Sequence, residues 1–595
     1  VRALAGAQHA AIRGAIDAII AVSIGFASSV GVAVDRSDVQ RSVARRRDEL
    51  GSSSAGELQR REASEEHRRS HGADPTTADA GSSEPRALLR IDAARRYIRC
   101  SKEPSMQRFD LCVIGAGPAG FAAASRAWDL GKRVALIERD AVGGRGLADG
   151  ALSSKTLWHL SNDYARVCRD DRGYRASGVE VSYDAVIAAV REAIGERRSD
   201  LLQQLEFFAT PSPCGGCVTP FEGRAKFVDP HTIELVRGDG AVEHVRADYF
   251  LVATGSSPRT PPGVIVDETH VVTSDHIERL PRFPESLVIV GAGVVGCEYA
   301  TIFANFGKTK VNIIDRQPRI LPFEDDDVAE AVSRNFERMG ITIHRESTLQ
   351  SLQVQDGHVR YVLCDRAGTR CEPIDVERAL ISIGRVPNTD GLGLEAAGVL
   401  LDKGGGIVVK DTQSSVAHIH AAGDVTADVA LVNVAELEGR HAVEAMFSAP
   451  THKIRYDALS AIFFLSPEVA AVGLNEQQAR KQGIAYRVGV LGNRLVSRTI
   501  AMRATDGFVK LLVSRDSPAK ILGMRVVGPQ AATAIQGIAF LIEKGGTLDD
   551  IDACVHPHPA VTEGVQECAR AILGRSVLKP GAFGPALLRV DEWAP

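Results

Sequence analysis

Asp110-Leu-Cys-Val-Ile-Gly-Ala-Gly-Pro-Ala-Gly120 runs on through Phe121-Ala-Ala-Ala-Ser-Arg-Ala-Trp-Asp-Leu-Gly-Lys132 to Arg133-Val-Ala-Leu-Ile-Glu138. A short apolar run leads into a glycine turn, an alanine-rich helix, and a second apolar run closed by an acid. Gly115, Gly117 and Gly120 spell G-x-G-x-x-G. The first permits a tight turn, the second lets backbone come close to a pyrophosphate, and the third lets the helix pack on the strand. Amides at the helix start then face the phosphate charge. Glu138 stands where a carboxylate accepts hydrogen bonds from ribose hydroxyls. Set between two strands and followed by that acid, the glycines read as a dinucleotide-binding unit rather than a plain βαβ turn.

A second such unit starts at Leu287-Val-Ile-Val-Gly-Ala-Gly-Val-Val-Gly296, with Gly291, Gly293 and Gly296 in the same places. Its second strand, Val311-Asn-Ile-Ile-Asp315, again ends in an acid. Two complete units imply two dinucleotides, usually a flavin and a nicotinamide (NAD or NADP). Asp315 favours NAD, because a carboxylate accepts from the ribose 2′-hydroxyl and repels a 2′-phosphate. Arg316 follows directly and softens that choice.

The chain has 595 residues, enough for several domains, with a formal charge of −5 that offers no footprint for nucleic acid. Its ten cysteines show no framework of spacings, which fits a reducing, cytoplasmic compartment better than a disulfide scaffold. Residues 1–105 differ from the rest. Positions 14–34 are small and weakly apolar, broken by Asp17, and a membrane or export segment is the less favoured reading. Positions 35–92 are polar and almost free of aromatics, and read as disordered. Met106 is the first methionine, so residues 1–105 are expected to be an upstream extension without a folded role. A chain beginning at Met106 is expected to keep full flavin content and activity.

Between and beyond the two units lie a helical run through about Val167, an amphipathic helix over 183–206, and an irregular loop over 211–217. Strands are expected near Gly223–Phe227, Thr232–Val236 and Tyr249–Val252, the last running into Ala253-Thr-Gly255. Further on come Ile381-Ser-Ile-Gly-Arg385, Ala422-Gly-Asp424 and His556-Pro-His-Pro-Ala-Val-Thr-Glu563. Cys214-Gly-Gly-Cys217 is a C-x-x-C in a loop, without adjacent further ligands, and reads as a turn with two incidental thiols. Cys112 and Cys297 read as packing residues. No metal site is expected.

Taken in this order, Gly115–Gly120, Lys155, Ala253-Thr-Gly255, Gly291–Gly296, Gly423-Asp424, and His558-Pro559 with Glu563 resemble the pyridine nucleotide-disulfide oxidoreductases over about Met106–Pro580. Gly296-Cys-Glu-Tyr-Ala300 looks most like the family's soluble transhydrogenase branch, and His556-Pro-His-Pro559 more like its dihydrolipoamide dehydrogenase branch. The resemblance implies an α/β fold with two Rossmann-like domains, the nicotinamide domain inserted in the FAD domain, and a C-terminal α+β dimerisation domain. The corresponding boundaries are 106–273 and 387–455 for FAD, 274–386 for NAD(P), 456–582 for dimerisation, and a tail over 583–595.

It also implies roles. Gly115, Gly117, Gly120, Glu138, Gly144, Thr254, Gly255, Gly423 and Asp424 would hold FAD, with Asp424 on the ribityl chain. Gly291, Gly293, Gly296 and Asp315 would hold the nicotinamide dinucleotide, with Gly384 and Arg385 in the cofactor set. Lys155 would pair with Glu298 beside flavin N5. His558 and Glu563 would form a dyad reaching the partner subunit's flavin, making a homodimer. Whether His558 is an acid on the acceptor or only packs at the interface stays open.

One departure decides the chemistry expected. The family pattern G-G-x-C-x-x-x-x-C-x-P-S-K, laid on Lys155, puts its cysteines on Gly146 and Ala151 and its proline on Ser153. Neither residue forms a thiolate, and thiol–disulfide exchange needs one. The expected protein is therefore an FAD-dependent NAD(P)H oxidoreductase without a redox-active cysteine pair. It would pass hydride through flavin directly to a small acceptor, transhydrogenase- or diaphorase-like, with no membrane or nucleic-acid partner. The runner-up readings are a dihydrolipoamide dehydrogenase working through unrecognised thiols, and a non-catalytic flavoprotein redox sensor.

Overall fold

In the computed structural model, residues 107–448 and 453–595 are described. The expectations for residues 1–105 lie outside them.

The first glycine unit is β1 (Gln107–Ile114), α1 (Pro118–Asp129) and β2 (Arg133–Glu138). Two helices follow at once, α2 (Gly144–Ala148) and α3 (Ala151–Val167), then the long α4 (Tyr183–Phe208). Ser182 caps α4 by accepting from Ala185 N, and its buried stripe Ile187, Val190, Ile194, Leu201 and Leu205 packs into the main core. Then come β3 (Cys217–Glu222), β4 (Arg224–Asp229), β5 (Thr232–Val236), β6 (Val242–Val252) and β7 (Ser256–Pro258).

The second unit is built from β8 (Val271–Thr273), β9 (Ser286–Val290), α5 (Val294–Phe306) and β10 (Lys310–Ile314). It continues with α6 (Asp326–Arg338), β11 (Thr342–His344), β12 (Thr348–Gln355), β13 (His358–Cys364), β14 (Cys371–Val376) and β15 (Arg378–Ile381). The chain then returns through β16 (Arg385–Pro387), β17 (Ile419–Ala421) and α7 (Val432–Phe447).

The seven-stranded sheet runs β3-β2-β1-β6-β5-β4, with β17 added beside β6. A separate parallel sheet runs β11-β10-β9-β15-β8, flanked by the antiparallel β12-β13-β14. The insertion is visible in two pairings: β16 with β7, and β17 with β6. All the chain between them forms the second unit. On β9 the side chains alternate. Leu287 and Ile289 face the core shared with α5, whereas Val288 and Val290 face the three-stranded sheet. The parallel sheet thus separates α5 from the β12–β14 layer.

The last domain is an antiparallel sheet of β18 (Ser460–Phe463), β19 (Val469–Gly473), β22 (Ile521–Val527), β21 (Phe508–Ser514), β20 (Tyr486–Gly492) and β23 (Leu588–Trp593), in that spatial order. Helices α8 (Glu476–Lys481), α9 (Ser497–Ala501), α10 (Ala531–Lys544), α11 (Leu548–Ala553) and α12 (Thr562–Ile572) complete it. The stretch 583–595, expected as a tail, is corrected here: β23 pairs with β20 and buries Leu588. The loop 211–217 likewise ends in a strand, β3, beside β2. Edge strands with polar outer faces carry little apolar signal, which is why both escaped the sequence reading.

Buried charges tie this domain to the loop before α6 and to the first turn of α6. Lys510, 3% exposed, lies 2.9 Å from both Asp325 and Asp327, and Arg525 lies 2.9 Å from Glu324. Among the described residues no helix is long and apolar enough to cross a membrane.

Candidate functional site

The two glycine turns have the same construction. Gly115 has φ +104°, and a Cβ there would sit 2.4 Å from Ala253 O. Gly291 has φ +107°, and its Cβ would sit 2.5 Å from Ser382 O. A Cβ on Gly120 would fall 1.8 Å from Gly115 O, and one on Gly296 would fall 2.0 Å from Gly291 O. The middle glycines are different: among the described residues nothing lies within 4 Å of a Cβ on Gly293, and near Gly117 only Gly144 Cα comes that close. Both α1 and α5 start without a side-chain cap, leaving their first amides for a ligand. These two open cradles fit two pyrophosphates.

The acids also match. Glu138 Oε2 accepts from Ala116 N at 2.7 Å, and Asp315 Oδ2 accepts from Ala292 N at 2.8 Å. Each carboxylate is thereby held beside its own glycine turn. Asp315 Oδ1 also accepts from Gln317 N at 2.8 Å.

Around the first cradle, Gly144 (φ +57°) brings α2 against Gly117, where a Cβ would meet Gly117 Cα at 3.0 Å. Thr254 and Asn388 exchange bonds: Thr254 Oγ1 donates to Asn388 O at 2.8 Å, and Asn388 Nδ2 donates to Thr254 O at 2.9 Å. This clasp holds the β7–β16 crossing, next to Gly255 (φ +69°) and Gly384 (φ +107°). Asp424 Oδ2 accepts from Ser256 Oγ at 2.6 Å, and the same hydroxyl accepts from Arg385 Nε at 2.6 Å. Gly423 N donates to buried Glu438 at 2.7 Å. Burial pushes the Glu438 carboxyl up, against the bonds from Gly423 and Tyr456. Glu438 and Tyr456 were not foreseen, since no local motif marks a carboxylate reached only through the fold.

Lys155 on α3 donates to Glu298 on α5 at 2.8 Å. Glu298 is 4% exposed, and its second oxygen accepts from Phe464 N at 3.1 Å. Lys155 Nζ also lies 4.9 Å from the centre of the Phe464 ring. The pair is therefore closed by a residue of the last domain. Trp158, one turn along α3, donates to Leu465 O at 3.2 Å. Phe464 was missed, because its role rests on position in the fold alone.

Gly146 and Ala151 stand on α2 and at the start of α3, and no sulfur occupies either place. A Cβ at Gly146 would come 3.2 Å from Pro118 Cγ and Val432 Cγ2. Ser153 donates to Glu278, whose carboxyl burial pushes up.

The expectation of a chain lacking the redox-active cysteine pair is not supported as it stands. Cys364 and Cys371 form a disulfide. It joins facing positions on β13 and β14, in the layer that the parallel sheet separates from α5. A spacing of seven across a hairpin gives no signal that distinguishes it from incidental cysteines.

Cys214 and Cys217 flank a turn in which Gly215 N donates to Ser212 O at 2.8 Å. Cys112 and Cys297 are fully buried, and burial pushes both thiols up, away from thiolate chemistry. Among the described residues no cluster of three His, Cys, Asp or Glu side chains is placed to hold a metal ion.

His558 Nδ1 lies 2.7 Å from Glu563 Oε1, and Ala560 N donates to Glu563 Oε2 at 2.8 Å. Burial raises the Glu563 carboxyl, but the bonds from His558 and Ala560 outweigh it and hold it below its usual range. His558 itself is 70% exposed in the single chain.

The family model for pyridine nucleotide-disulphide oxidoreductases matches residues 109–439, and that for the family's dimerisation domain matches 459–569. The chain belongs to this family. Its members bind FAD and NAD(P). Mitochondrial dihydrolipoyl dehydrogenase of Schizosaccharomyces pombe is 30% identical over 82% of this chain and 94% of its own length. Dihydrolipoyl dehydrogenase of Geobacillus stearothermophilus is 32% identical, over 78% and 96%. Leghemoglobin reductase of Glycine max is 31% identical, over 78% and 87%. The crystal structure of LpdA from Mycobacterium tuberculosis superposes with a TM-score of 0.71 at 28% identity, over 78% of this chain and 99% of that one. The chain is thus an enzyme-family member of FAD- and nicotinamide-dependent type, with the α/β architecture expected.

Proposed function

We propose that the protein is a homodimeric FAD-dependent NAD(P)H oxidoreductase that reduces a small acceptor without a cysteine relay, as a transhydrogenase or diaphorase does. When bound, FAD supplies a two-electron carrier between nicotinamide and acceptor. The observation that carries the reading is Lys155 held on Glu298 at 2.8 Å while Gly146 and Ala151 stand where the family pattern has thiols. Lys155 keeps a fixed cation in a largely enclosed place, favouring negative charge that develops beside it. Gly115, Gly117, Gly120, Glu138, Gly144, Thr254, Gly255, Gly423 and Asp424 orient FAD, and Gly291, Gly293, Gly296 and Asp315 orient the nicotinamide dinucleotide, NAD in preference to NADP. Arg385 reaches Ser256 and Asp424, and braces the flavin side of the β7–β16 crossing.

His558 and Glu563 reach the partner's site. The dyad holds Nδ1, leaving Nε2 to meet an acceptor. His558→Ala separates the roles: a flattened pH profile of turnover marks proton transfer, and an unchanged one marks packing.

A second reading is dihydrolipoyl dehydrogenase-like turnover. The names of the relatives favour it, and so does the presence of an actual cysteine pair; the position of that pair, across a sheet from α5, favours the first reading. Anaerobic reduction by NADH discriminates between them. Bleaching without a long-wavelength absorption band, followed by reoxidation with NAD(P)⁺ or a quinone, supports direct transfer. A long-wavelength band lost in the Cys364→Ser, Cys371→Ser variant, with dihydrolipoamide turnover in the parent, supports the thiol route and overturns the first.

A further inference from the structure

Asp315 is braced by a second loop. Asp315 O accepts from Ser347 N at 3.1 Å, and Gln317 O accepts from Glu346 N at 3.1 Å. Glu346 holds a left-handed backbone, φ +51°, which a residue other than glycine adopts only when its surroundings enforce it. Its carboxylate accepts from Arg366 Nη1 at 2.8 Å. Arg366 lies in the loop 365–370, and the base of that loop is the Cys364–Cys371 disulfide. Cys364 itself faces Thr348 across the ladder, one residue from Ser347. Asp365 ties the loop further, accepting from Thr369 N at 2.8 Å and Oγ1 at 2.9 Å.

An exposed ion pair such as Arg366–Glu346 contributes little when both side chains are free to move. Closing the hairpin covalently fixes Arg366 beforehand, so the pair holds Glu346, and through it the backbone around Asp315. Cys364 is buried and Cys371 exposed, so an external thiolate meets Cys371 first.

We infer that Cys364–Cys371 is a thiol–disulfide exchange site for a small or protein dithiol, and that its redox state sets the affinity of the dinucleotide site at Asp315. An external thiolate attacks Cys371 Sγ, and Cys364 leaves as a thiolate and takes up a proton. The second thiol of the dithiol resolves the mixed disulfide. Two electrons and two protons pass, giving two cysteine thiols and an oxidised dithiol. This rests on the reading of Gly291–Asp315 as the nicotinamide dinucleotide site.

The test is calorimetric titration of the flavoprotein with NAD⁺, before and after dithiothreitol, with alkylation and mass measurement reporting the thiols. Reduction should free Cys364 and Cys371 and weaken NAD⁺ binding by about threefold, the scale of one exposed ion pair. Arg366→Ala should bind weakly when oxidised and lose its response to reduction. The Cys364→Ser, Cys371→Ser variant should behave as the reduced parent. Equal affinity in both redox states, a pair that dithiothreitol leaves intact, or an Arg366→Ala protein that still responds overturns the inference alone. Absence of NAD⁺ binding in every form overturns it together with the proposed function.

Discussion

Single glycines carry the sharpest tests of the two cradles, because they fail in different ways. Gly296→Ala drives a methyl to 2.0 Å from a carbonyl of its own turn, so the second unit must distort. NADH reduction is expected to vanish, while flavin content, which depends on the first unit, is retained. Gly293→Ala meets nothing within 4 Å among the described residues, so its stability cost should be only that of alanine replacing glycine at a helix N-cap, about 1 kcal/mol. Its methyl would occupy the phosphate's place, and NADH affinity should fall at least about tenfold, roughly 1.4 kcal/mol. Calorimetry with absorbance titration checks both. Lys155→Met is a third case. It strips buried Glu298 of its cation; breaking a fully buried pair costs about 3–5 kcal/mol, and the cost here is lower because Lys155 is 26% exposed. Glu298→Gln added to it should recover most of that stability without restoring NADH-dependent turnover, as read by urea unfolding and steady-state assay. The glycines, Glu138, Asp315, Lys155 and Glu298 were legible because each belongs to a local pattern or a family motif. Phe464 was not: 166 positions separate it from Glu298, and only the fold brings its amide to that carboxylate.

At the scale of elements, β17 contributes a pH dependence. It lies beside β6, beneath the Gly423-Asp424 turn, and carries His420 into the interior. Burial, aided by nearby His441, pulls His420 down to about 4, and Thr412 Oγ1 lies 3.2 Å from its Nδ1. The unfolded chain takes up this proton near 6.5, the folded one only near 4. The stability it confers is therefore full above 6.5, and is lost as pH falls from 6.5 towards 4, by about 3 kcal/mol. Urea midpoints across that window should fall less steeply in His420→Leu than in the parent; parallel slopes would refute the assignment. Elements with strong periodicity or glycine punctuation were readable in advance. The helix expected over 183–206 is Tyr183–Phe208, and the strand over Thr232–Val236 is found at those residues. The β12–β14 layer and β23 were not, since short strands with one polar face depend on neighbours far along the chain.

For the whole molecule, the open question on the surface is what faces His558. Val555 is 98% exposed, three residues before that histidine and in the domain whose family model is one of dimerisation. A lone exposed valine is ordinary. On the proposed homodimer, a valine this exposed beside the exposed His–Glu dyad would stand at the rim of the subunit contact. Sedimentation of the flavoprotein is expected to give twice the 63.6 kDa chain mass. Val555→Asp places a charge where an apolar contact closes, and should shift the equilibrium towards monomer by at least about tenfold, the cost of roughly 1.4 kcal/mol. If His558 serves the partner's site, turnover per flavin falls in step with the dimer fraction while each monomer keeps its FAD. Full activity in a Val555→Asp monomer would show that each chain completes its own site and would remove His558 from the reaction.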